Sequence, residues 1–142
     1  MGELIKVRPE HVNVSWTYMD KLIQKALDTS LGEYNLADIK KYLSSGSMDV
    51  WLWMGKEGTL VAVVTQITHY PRLSVMEVLL VGAKEHTFTE WFDKGWDTLE
   101  EYAREKGVQR INSHARKGWM KYMPDKGFKE HHITITKDIS NA

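Results

Sequence analysis

The stretch Val75-Met-Glu-Val-Leu-Leu-Val-Gly-Ala83 is joined by a short linker to an amphipathic segment that ends at Gly107. The first run is apolar at nearly every position, which is typical of a strand in the middle of a sheet. In the second, apolar residues recur at helical spacing, and a glycine is a common helix end. We therefore predict a central strand followed by a long helix. The helical stripe comprises Trp91, Phe92, Trp96, Leu99, Tyr102 and Ala103.

A regular strand sends alternate residues of the 75–83 run to opposite sides of the sheet. Because both sets are apolar, we expect this strand to be central and to be covered by helices on both faces. One set is Met76, Val78 and Leu80, and the other is Val75, Leu79 and Val81.

Upstream of this unit, the sequence predicts a short strand and two helices. The strand is Leu4–Val7, which alternates briefly. Apolar residues at helical spacing over residues 14–27 predict the first helix. The second begins after Asn35, which together with Asp38 has the spacing of a helix cap. These two helices precede the rest of the sheet in the chain.

The hydrophobic period then changes to that of strands. Val50–Met54 and Leu60–Thr68 flank a glycine-containing turn at 55–58 and predict a hairpin. A turn at 71–74 leads directly into the 75–83 strand. We predict a three-stranded antiparallel meander.

Three further elements are predicted after the long helix. Val108–Ser113 is a strand that should pair in parallel with the 75–83 strand, because a helical crossover joins them. A short helix is predicted from Lys117 to Met123, and a last, antiparallel strand at His131–Thr136. The order is β α α β β β α β α β. It indicates a single domain over residues 1–142 of the mixed α+β class, with about six strands and helices on both faces.

Composition excludes several classes of function. The 19 basic and 19 acidic residues leave no net charge, so long-range attraction to nucleic acid or to acidic membranes has no support. No run approaches the roughly 18 apolar residues of a membrane helix. The absence of cysteine excludes thiolate nucleophiles and thiolate metal sites, and it fits a reducing compartment. We expect a soluble protein with no nucleic-acid or membrane partner.

Two other residue types suggest sites and have simpler explanations. Histidines stand at positions 11, 69, 86, 114, 131 and 132, but their spacing matches no known metal motif, and no metal site is predicted. The six tryptophans suggest either core packing or a contact surface, and core packing is the favoured interpretation.

The order of elements resembles that of the GCN5-related N-acetyltransferase superfamily across nearly the whole chain. Ala103-Arg-Glu-Lys-Gly107 at the helix end and Gly127-Phe128-Lys-Glu before an alternating segment agree with it. Five stretches also resemble a phage-encoded branch of that superfamily. They are Trp51-Leu-Trp, Val64-Thr-Gln-Ile-Thr-His-Tyr-Pro71, Leu79-Leu-Val-Gly82, Arg116-Lys-Gly-Trp119 and Thr136-Lys-Asp.

The resemblance implies an acyl-CoA N-acyltransferase fold that binds acetyl-CoA at the end of the central strand. In this family a bulge parts that strand from its parallel neighbour, and the pantetheine amides pair with the open strand edge. The pyrophosphate rests on backbone amides at the start of the next helix. The matching positions here are Leu80, Val81, Gly82, Thr87, Phe88, Thr89 and Arg116.

The pyrophosphate loop of the family is rich in glycine, because glycine lets phosphate oxygens approach several amides closely. In this chain the loop falls at about residues 87–92. Phe88, Glu90 and Phe92 stand at the positions where the family has small residues. Thr87 and Glu90 also have the spacing of a capping box, which would satisfy the same amides with protein groups. We expect the chain to fill its own anion site and to bind cofactor weakly.

Acetyl transfer to an amine requires a base for the amine and an acid for the leaving thiolate. Glu77 is the charged residue of the central strand, where family members often place a base, and a position at the sheet rim or beside a cation is the alternative. Tyr122 stands one residue from the family's usual acid, with core packing as the competing interpretation. His69, at the meander's turn, is a candidate proton shuttle.

Two functions follow from the sequence. The first is a phage-type N-acetyltransferase that moves an acetyl group from acetyl-CoA to a small-molecule or protein amine, with Glu77 as base, Tyr122 as acid and no metal. The second is a non-catalytic protein that keeps the fold and binds a phage structural protein or a host protein. Either would act in the host cytoplasm or in the virion.

Overall fold

The computed structural model describes residues 2–114 and 117–140, which form one five-stranded mixed sheet. The first four strands are successive antiparallel neighbours, and the last is parallel to the fourth. The predicted meander and the parallel crossover are therefore confirmed. In sheet order the strands are β1 (Leu4–Val7), β2 (Asp49–Gly55), β3 (Gly58–His69), β4 (Ser74–Ala83) and β5 (Arg110–Ser113).

Four α-helices accompany the sheet, and none in the described ranges has the length and apolar character required to cross a membrane. The helix predicted over residues 14–27 is divided by a 3-10 turn at Trp16–Tyr18. The predicted cap is confirmed, because the Asp38 amide donates to Asn35 Oδ1 at 2.8 Å and the Asn35 amide donates to Asp38 Oδ2 at 3.0 Å. The helices are α1 (Val12–Ser15), α2 (Asp20–Leu27), α3 (Leu36–Ser45) and α4 (Phe88–Glu105).

A hydrophobic core lies on each face of the sheet, which confirms the prediction of helices on both faces. Alternation along β2 shows the division, because Trp51 and Trp53 pack on the α4 side, whereas Val50 and Leu52 pack on the side of α1–α3. From the helices, the first core receives Trp91, Phe92, Trp96, Leu99 and Ala103, and the second receives Val12, Ile23, Ala26, Leu27, Ile39 and Leu43.

Most of the tryptophans are core residues, as predicted. Trp51, Trp53, Trp91 and Trp96 are each buried. The indole Nε1 of Trp51 donates a hydrogen bond of 3.1 Å to Thr65 Oγ1, so this buried polar atom has its partner inside the core. These four tryptophans therefore fill the core on the α4 side of the sheet.

The C-terminal part departs from the sequence prediction. The helix predicted from Lys117 to Met123 is replaced by two 3-10 turns, Lys117–Trp119 and Met123–Lys126. The strand predicted at His131–Thr136 is wrong, because residues 128–140 have no regular structure. Alternation is a local signal, whereas a strand also needs a sheet edge within reach. The sheet therefore has five strands and not six.

Candidate functional site

A β-bulge divides β4 into two halves. Val64 on β3 pairs with Leu80, but the next residue, Thr65, pairs with Val78, so Leu79 is an extra residue on β4. The bulge reverses the alternation. Beyond it Leu80 packs on the α1–α3 side, whereas Val81 packs on the α4 side. Leu79 lies on the predicted side, but the predicted alternation is wrong from Leu80 onward.

Pairing between β4 and β5 ends at the same place. The last pair in the ladder is Val78 with Ser113, and the amide of His114 donates a weak bond of 3.4 Å to the carbonyl of Val78. In the part of the chain that the structure describes, residues 80–83 of β4 pair with β3 only, and Leu79 pairs with neither neighbour. The second half of β4 is therefore an open strand edge, and it includes the predicted cofactor residues Leu80, Val81 and Gly82.

Gly82 has a packing role within this edge. A Cβ on Gly82 would lie 1.8 Å from the carbonyl oxygen of Leu22, in the backbone of α2. No side chain fits between the helix and the strand at this position. Glycine is required here for the close approach of α2, whether or not a ligand binds along the strand.

The predicted capping box at the start of α4 is wrong. Thr87 Oγ1 donates to the carbonyl of Lys84 at 2.6 Å and accepts a bond of 3.1 Å from Trp91 Nε1. Its hydroxyl therefore turns away from the first amides of the helix, because the buried indole of Trp91 requires an acceptor. The side chain of Glu90 is exposed and forms no cap.

The backbone around Thr87 instead presents free hydrogen-bond donors. His86 has a left-handed φ of +63°, and Thr87 follows with φ −113° and ψ −2°. When a left-handed residue is followed by a right-handed one, successive backbone N–H groups point to the same side and form a concave site that can bind an anion. Within residues 2–114 and 117–140, the amides of His86, Thr87, Phe88 and Thr89 have no acceptor. These four donors stand at the positive end of α4.

An aromatic cluster covers the α4 side of this region. The ring of Phe88 lies 4.3 Å from that of Phe92 and 4.8 Å from that of Tyr122, and Trp119 lies 5.9 Å from Trp91. A space of only about 10 Å³ remains beneath the cluster, against Val78 and Val81 among others. A ligand at the open edge of β4 must therefore approach from the β5 side or from the face opposite α4.

Glu77 stands one residue before the point where β4 and β5 part. It faces away from α4, because its neighbours Met76 and Val78 pack toward that helix. In register it lies between Gln66 of β3 and Asn112 of β5. The carboxylate is partly buried, and no cation in the described ranges pairs with it. Glu77 is thus a free acceptor on a polar row across three strands.

The other predicted site residues lie in different places. Tyr122 is 40% exposed and contacts Phe88 on the α4 side, so it approaches β4 from the face opposite Glu77. His69 Nδ1 is 2.6 Å from Ser74 Oγ at the beginning of β4, and Leu79 lies about 16 Å further along that strand. The structure therefore does not bring His69 to the open edge. Arg116 lies outside the described residues.

Two features of the site were not predicted from the sequence. The bulge at Leu79 lies in a uniform apolar run, and the left-handed conformation of His86 replaces the glycines that would have indicated an anion site. Histidine is nevertheless among the residues enriched in this conformation. No group of three histidine, aspartate or glutamate side chains in the described part of the chain is placed to hold a metal ion.

No model of a protein family matches the chain, and no curated protein matches its sequence. Solved structures do match it over nearly their whole length. An aminoglycoside acetyltransferase from an uncultured soil metagenomic sample, in complex with sisomicin, has a TM-score of 0.69 at 8% identity and covers 98% of this chain and 97% of its own. The aminoglycoside N-acetyltransferase AAC(6')-Iy in complex with CoA has a TM-score of 0.67 at 11% identity, with 98% and 95% covered.

A third structure, an acetyltransferase of Trypanosoma brucei, has a TM-score of 0.68 at 15% identity and covers 98% of this chain and 100% of its own. At such low identities these matches show a shared fold. The chain has the fold of the GCN5-related acetyltransferases, and the predicted fold class is confirmed with one strand fewer.

Proposed function

We propose that this protein transfers an acetyl group from acetyl-CoA to an amine. One observation carries the proposal: the open edge of β4, residues 79–83, runs directly into four backbone amides without acceptors, at residues 86–89. The pantetheine arm contains amides that pair with a strand edge, and a pyrophosphate is an anion that binds at a helix N-terminus. The two halves of one extended ligand thus have adjacent partners.

The residues present fit acetyl-CoA without a glycine-rich loop. The left-handed His86 provides the turn for which a glycine would otherwise be used, and the Thr87 hydroxyl leaves the amides free. Leu80 and Val81 would pair with pantetheine, and the amides of Phe88 and Thr89 would bind pyrophosphate. We assign Arg116 to a phosphate of the same ligand.

Glu90 is the residue that opposes binding. Its carboxylate is a negative charge in the first turn of α4, close to the proposed pyrophosphate position. The side chain is exposed, so water and salt screen its repulsion. We expect Glu90 to reduce the affinity for acetyl-CoA and not to abolish it.

The proposed chemistry uses the two faces of β4. The amine approaches on the face of Gln66, Glu77 and Asn112, and Glu77 takes its proton. The nitrogen forms a bond to the acetyl carbon while the bond from that carbon to sulfur breaks. Tyr122, on the opposite face, gives a proton to the departing thiolate. Backbone donors of the open edge stabilise the developing charge on the acetyl oxygen.

The acceptor is proposed to be a small-molecule amine. Two of the similar structures are aminoglycoside acetyltransferases, one of them in complex with sisomicin. A free carboxylate between two amide side chains suits a cationic amine that also carries hydroxyl groups. We further propose, on the stretches that resemble a phage-encoded branch, that the protein acts in a host cytoplasm.

The first test is whether acetyl-CoA stabilises the protein. At a hundredfold excess over its dissociation constant, a ligand that binds only the folded state stabilises it by about 2.7 kcal/mol. Thermal unfolding should shift upward with acetyl-CoA and much less with S-acetylpantetheine, which lacks the pyrophosphate. The variant Glu90→Gln should bind acetyl-CoA more tightly than the wild type. No shift at millimolar acetyl-CoA would contradict the proposal and favour the non-catalytic interpretation.

The second test is turnover. Because the chain has no cysteine, the thiol of released CoA can be titrated with a disulfide reagent without a background from the protein. A panel of aminoglycosides, polyamines and lysine peptides would identify the class of acceptor. Release of CoA that depends on one of these amines is the expected result.

A further inference from the structure

Lys25 of α2 places a positive charge at the end of β4. Its Nζ donates a hydrogen bond of 2.7 Å to the carbonyl oxygen of Ala83, the last residue of the strand. This contact depends on how closely α2 lies on β4, because Gly82 admits the backbone of Leu22. Lys25 follows Leu22 by three residues and so lies on the same side of the helix. The packing of α2 therefore brings an ammonium group to β4.

The carbonyl that Lys25 contacts points away from β3. In an antiparallel pair, successive residues direct both backbone groups alternately toward the neighbouring strand and away from it. The amide of Lys84 donates to the carbonyl of Leu60 at 2.7 Å, so Lys84 faces β3. Ala83, one residue earlier, faces the open edge, and so does Val81. The ammonium group thus lies on the edge that we assign to acetyl-CoA.

The positive charge of Lys25 is not neutralised by any carboxylate in the described part of the chain. The ion pairs found there join other residues. An ammonium group has three donors, of which the Ala83 carbonyl occupies one. The side chain is partly buried, so its attraction for an anion is screened less than that of a fully solvated lysine. A charge and two donors therefore remain for a ligand at this edge.

A turn joins this edge to the start of α4. The Thr87 hydroxyl donates to the carbonyl of Lys84 at 2.6 Å, which holds Thr87 beside the residue that follows Ala83. Even when fully extended, three residues span at most about 11 Å, and the turn shortens this distance. The ammonium group of Lys25 and the free amides of residues 86–89 are therefore within reach of one extended ligand.

We propose that Lys25 binds the pyrophosphate of acetyl-CoA together with the amides of residues 86–89. This inference rests on the proposed function, because it adds a residue to the same cofactor site. The ammonium group keeps its bond to the Ala83 carbonyl and directs its other donors to phosphate oxygens. The pantetheine amides then pair with the edge before Ala83, at Val81. The charge of Lys25 also offsets the repulsion from Glu90.

Titration calorimetry with acetyl-CoA, without an acceptor amine, tests the role of Lys25. The variant Lys25→Gln should raise the dissociation constant about tenfold or more, which corresponds to one lost hydrogen bond to a charged group. Its affinity for S-acetylpantetheine, which lacks the pyrophosphate, should not change. Lys25→Arg keeps the charge and should bind acetyl-CoA more tightly than Lys25→Gln. Lys21→Gln, which removes an exposed lysine one turn earlier on α2, is the matched control and should bind like the wild type.

The outcomes separate this inference from the proposed function. Equal affinity of the wild type and Lys25→Gln for acetyl-CoA would overturn the inference and leave the proposed transfer standing. An equal loss of affinity for S-acetylpantetheine would also overturn it, because disturbed packing of α2 would then explain both losses. Binding that depends on Lys25, without amine-dependent release of CoA, would uphold the inference and contradict the proposed transfer. A wild type that binds no acetyl-CoA would overturn both.

Discussion

The backbone carbonyl of Leu22 occupies the position where any side chain on Gly82 would begin. A Cβ on Gly82 would be 1.8 Å from that oxygen, and the nearest atoms all belong to the backbone of α2. Flexible side-chain ends can move by rotation, but a helix backbone cannot. This contact fixes how closely α2 lies on the open half of β4.

We therefore expect Gly82→Ala to destabilise the protein by about 3 kcal/mol or more, because overpacking against backbone has no local relief. Gly95→Ala is the matched control. It lies inside α4, where an added Cβ meets only Trp91 Cε3 at 3.9 Å, and it should stabilise the protein by up to about 1 kcal/mol through helix propensity. Urea unfolding of both variants measures the difference. Equal stability of the two variants would contradict the assigned contact.

The sequence alone predicted the elements whose pattern of buried residues lies within one continuous stretch of chain. The double apolar face of β4 and the stripe of α4 each predicted an element and its surroundings, and both are present as Ser74–Ala83 and Phe88–Glu105. The Asn35–Asp38 cap was also predictable, because both partners lie within one turn of helix. These signals depend on residues close together in the chain.

The features that decide the site depend on residues far apart. The bulge at Leu79 arises in the register between β3 and β4, and nothing in Leu79-Leu-Val-Gly82 indicates it. Thr87 has the sequence of a cap, but the buried Trp91 indole needs its hydroxyl. Residues 131–136 have the sequence of a strand, but Phe128 just before them packs on Trp96 of α4, and residues 128–140 form no strand. Tertiary contacts override the local pattern in each case.

The free amides at the start of α4 can be tested by removing one of them. Thr89 is exposed, and its N–H has no acceptor, so Thr89→Pro removes a donor without breaking a helix bond. A hydrogen bond to a charged group contributes about 1.5 kcal/mol, and its loss should weaken acetyl-CoA binding about tenfold. Titration calorimetry measures this effect.

The control for this change is Thr89→Ala, which keeps the amide. It should bind acetyl-CoA like the wild type, and circular dichroism should show the same helix content for both variants. If Thr89→Pro binds as tightly as Thr89→Ala, the amides do not hold the pyrophosphate.

Glu77→Gln should lower kcat/KM for the acceptor amine by at least about a hundredfold, because it removes the proposed base from the open face. The affinity for acetyl-CoA should not change. Glu105→Gln, an exposed carboxylate at the end of α4, is the control. A kcat/KM in Glu77→Gln equal to that of Glu105→Gln would assign the base elsewhere.

The variant Tyr122→Phe distinguishes proton donation by the Tyr122 hydroxyl from packing of its ring. The ring contacts with Phe88 and Phe92 remain, so the stability should be nearly unchanged. If the phenol protonates the thiolate, kcat should fall by about tenfold or more while KM for acetyl-CoA stays constant. Steady-state kinetics with acetyl-CoA measures both constants. An unchanged kcat would leave Tyr122 with packing alone.

Tyr102 connects α4 to β2 and should make stability depend on alkaline pH. Its hydroxyl donates to Asp49 Oδ2 at 3.4 Å, and Lys6 Nζ lies 3.6 Å from the other oxygen of Asp49. Burial, and then the charge of Asp49, raise the pKa of Tyr102 above its ordinary value of about 10. The unfolded chain therefore releases this proton at lower pH than the native protein does.

Because the native pKa of Tyr102 is the higher one, its contribution to stability is complete below pH about 10 and is lost as the pH rises through the native value. Lys126 acts in the same direction, since its hydrogen bond to Asp97 raises its pKa. We expect Tyr102→Phe to reduce the loss of unfolding free energy between pH 9 and about 11, with Lys126→Met as a second variant that reduces it independently. Urea unfolding across this range gives the slopes, and the same slope in Tyr102→Phe as in the wild type would contradict the role of the Asp49 contact.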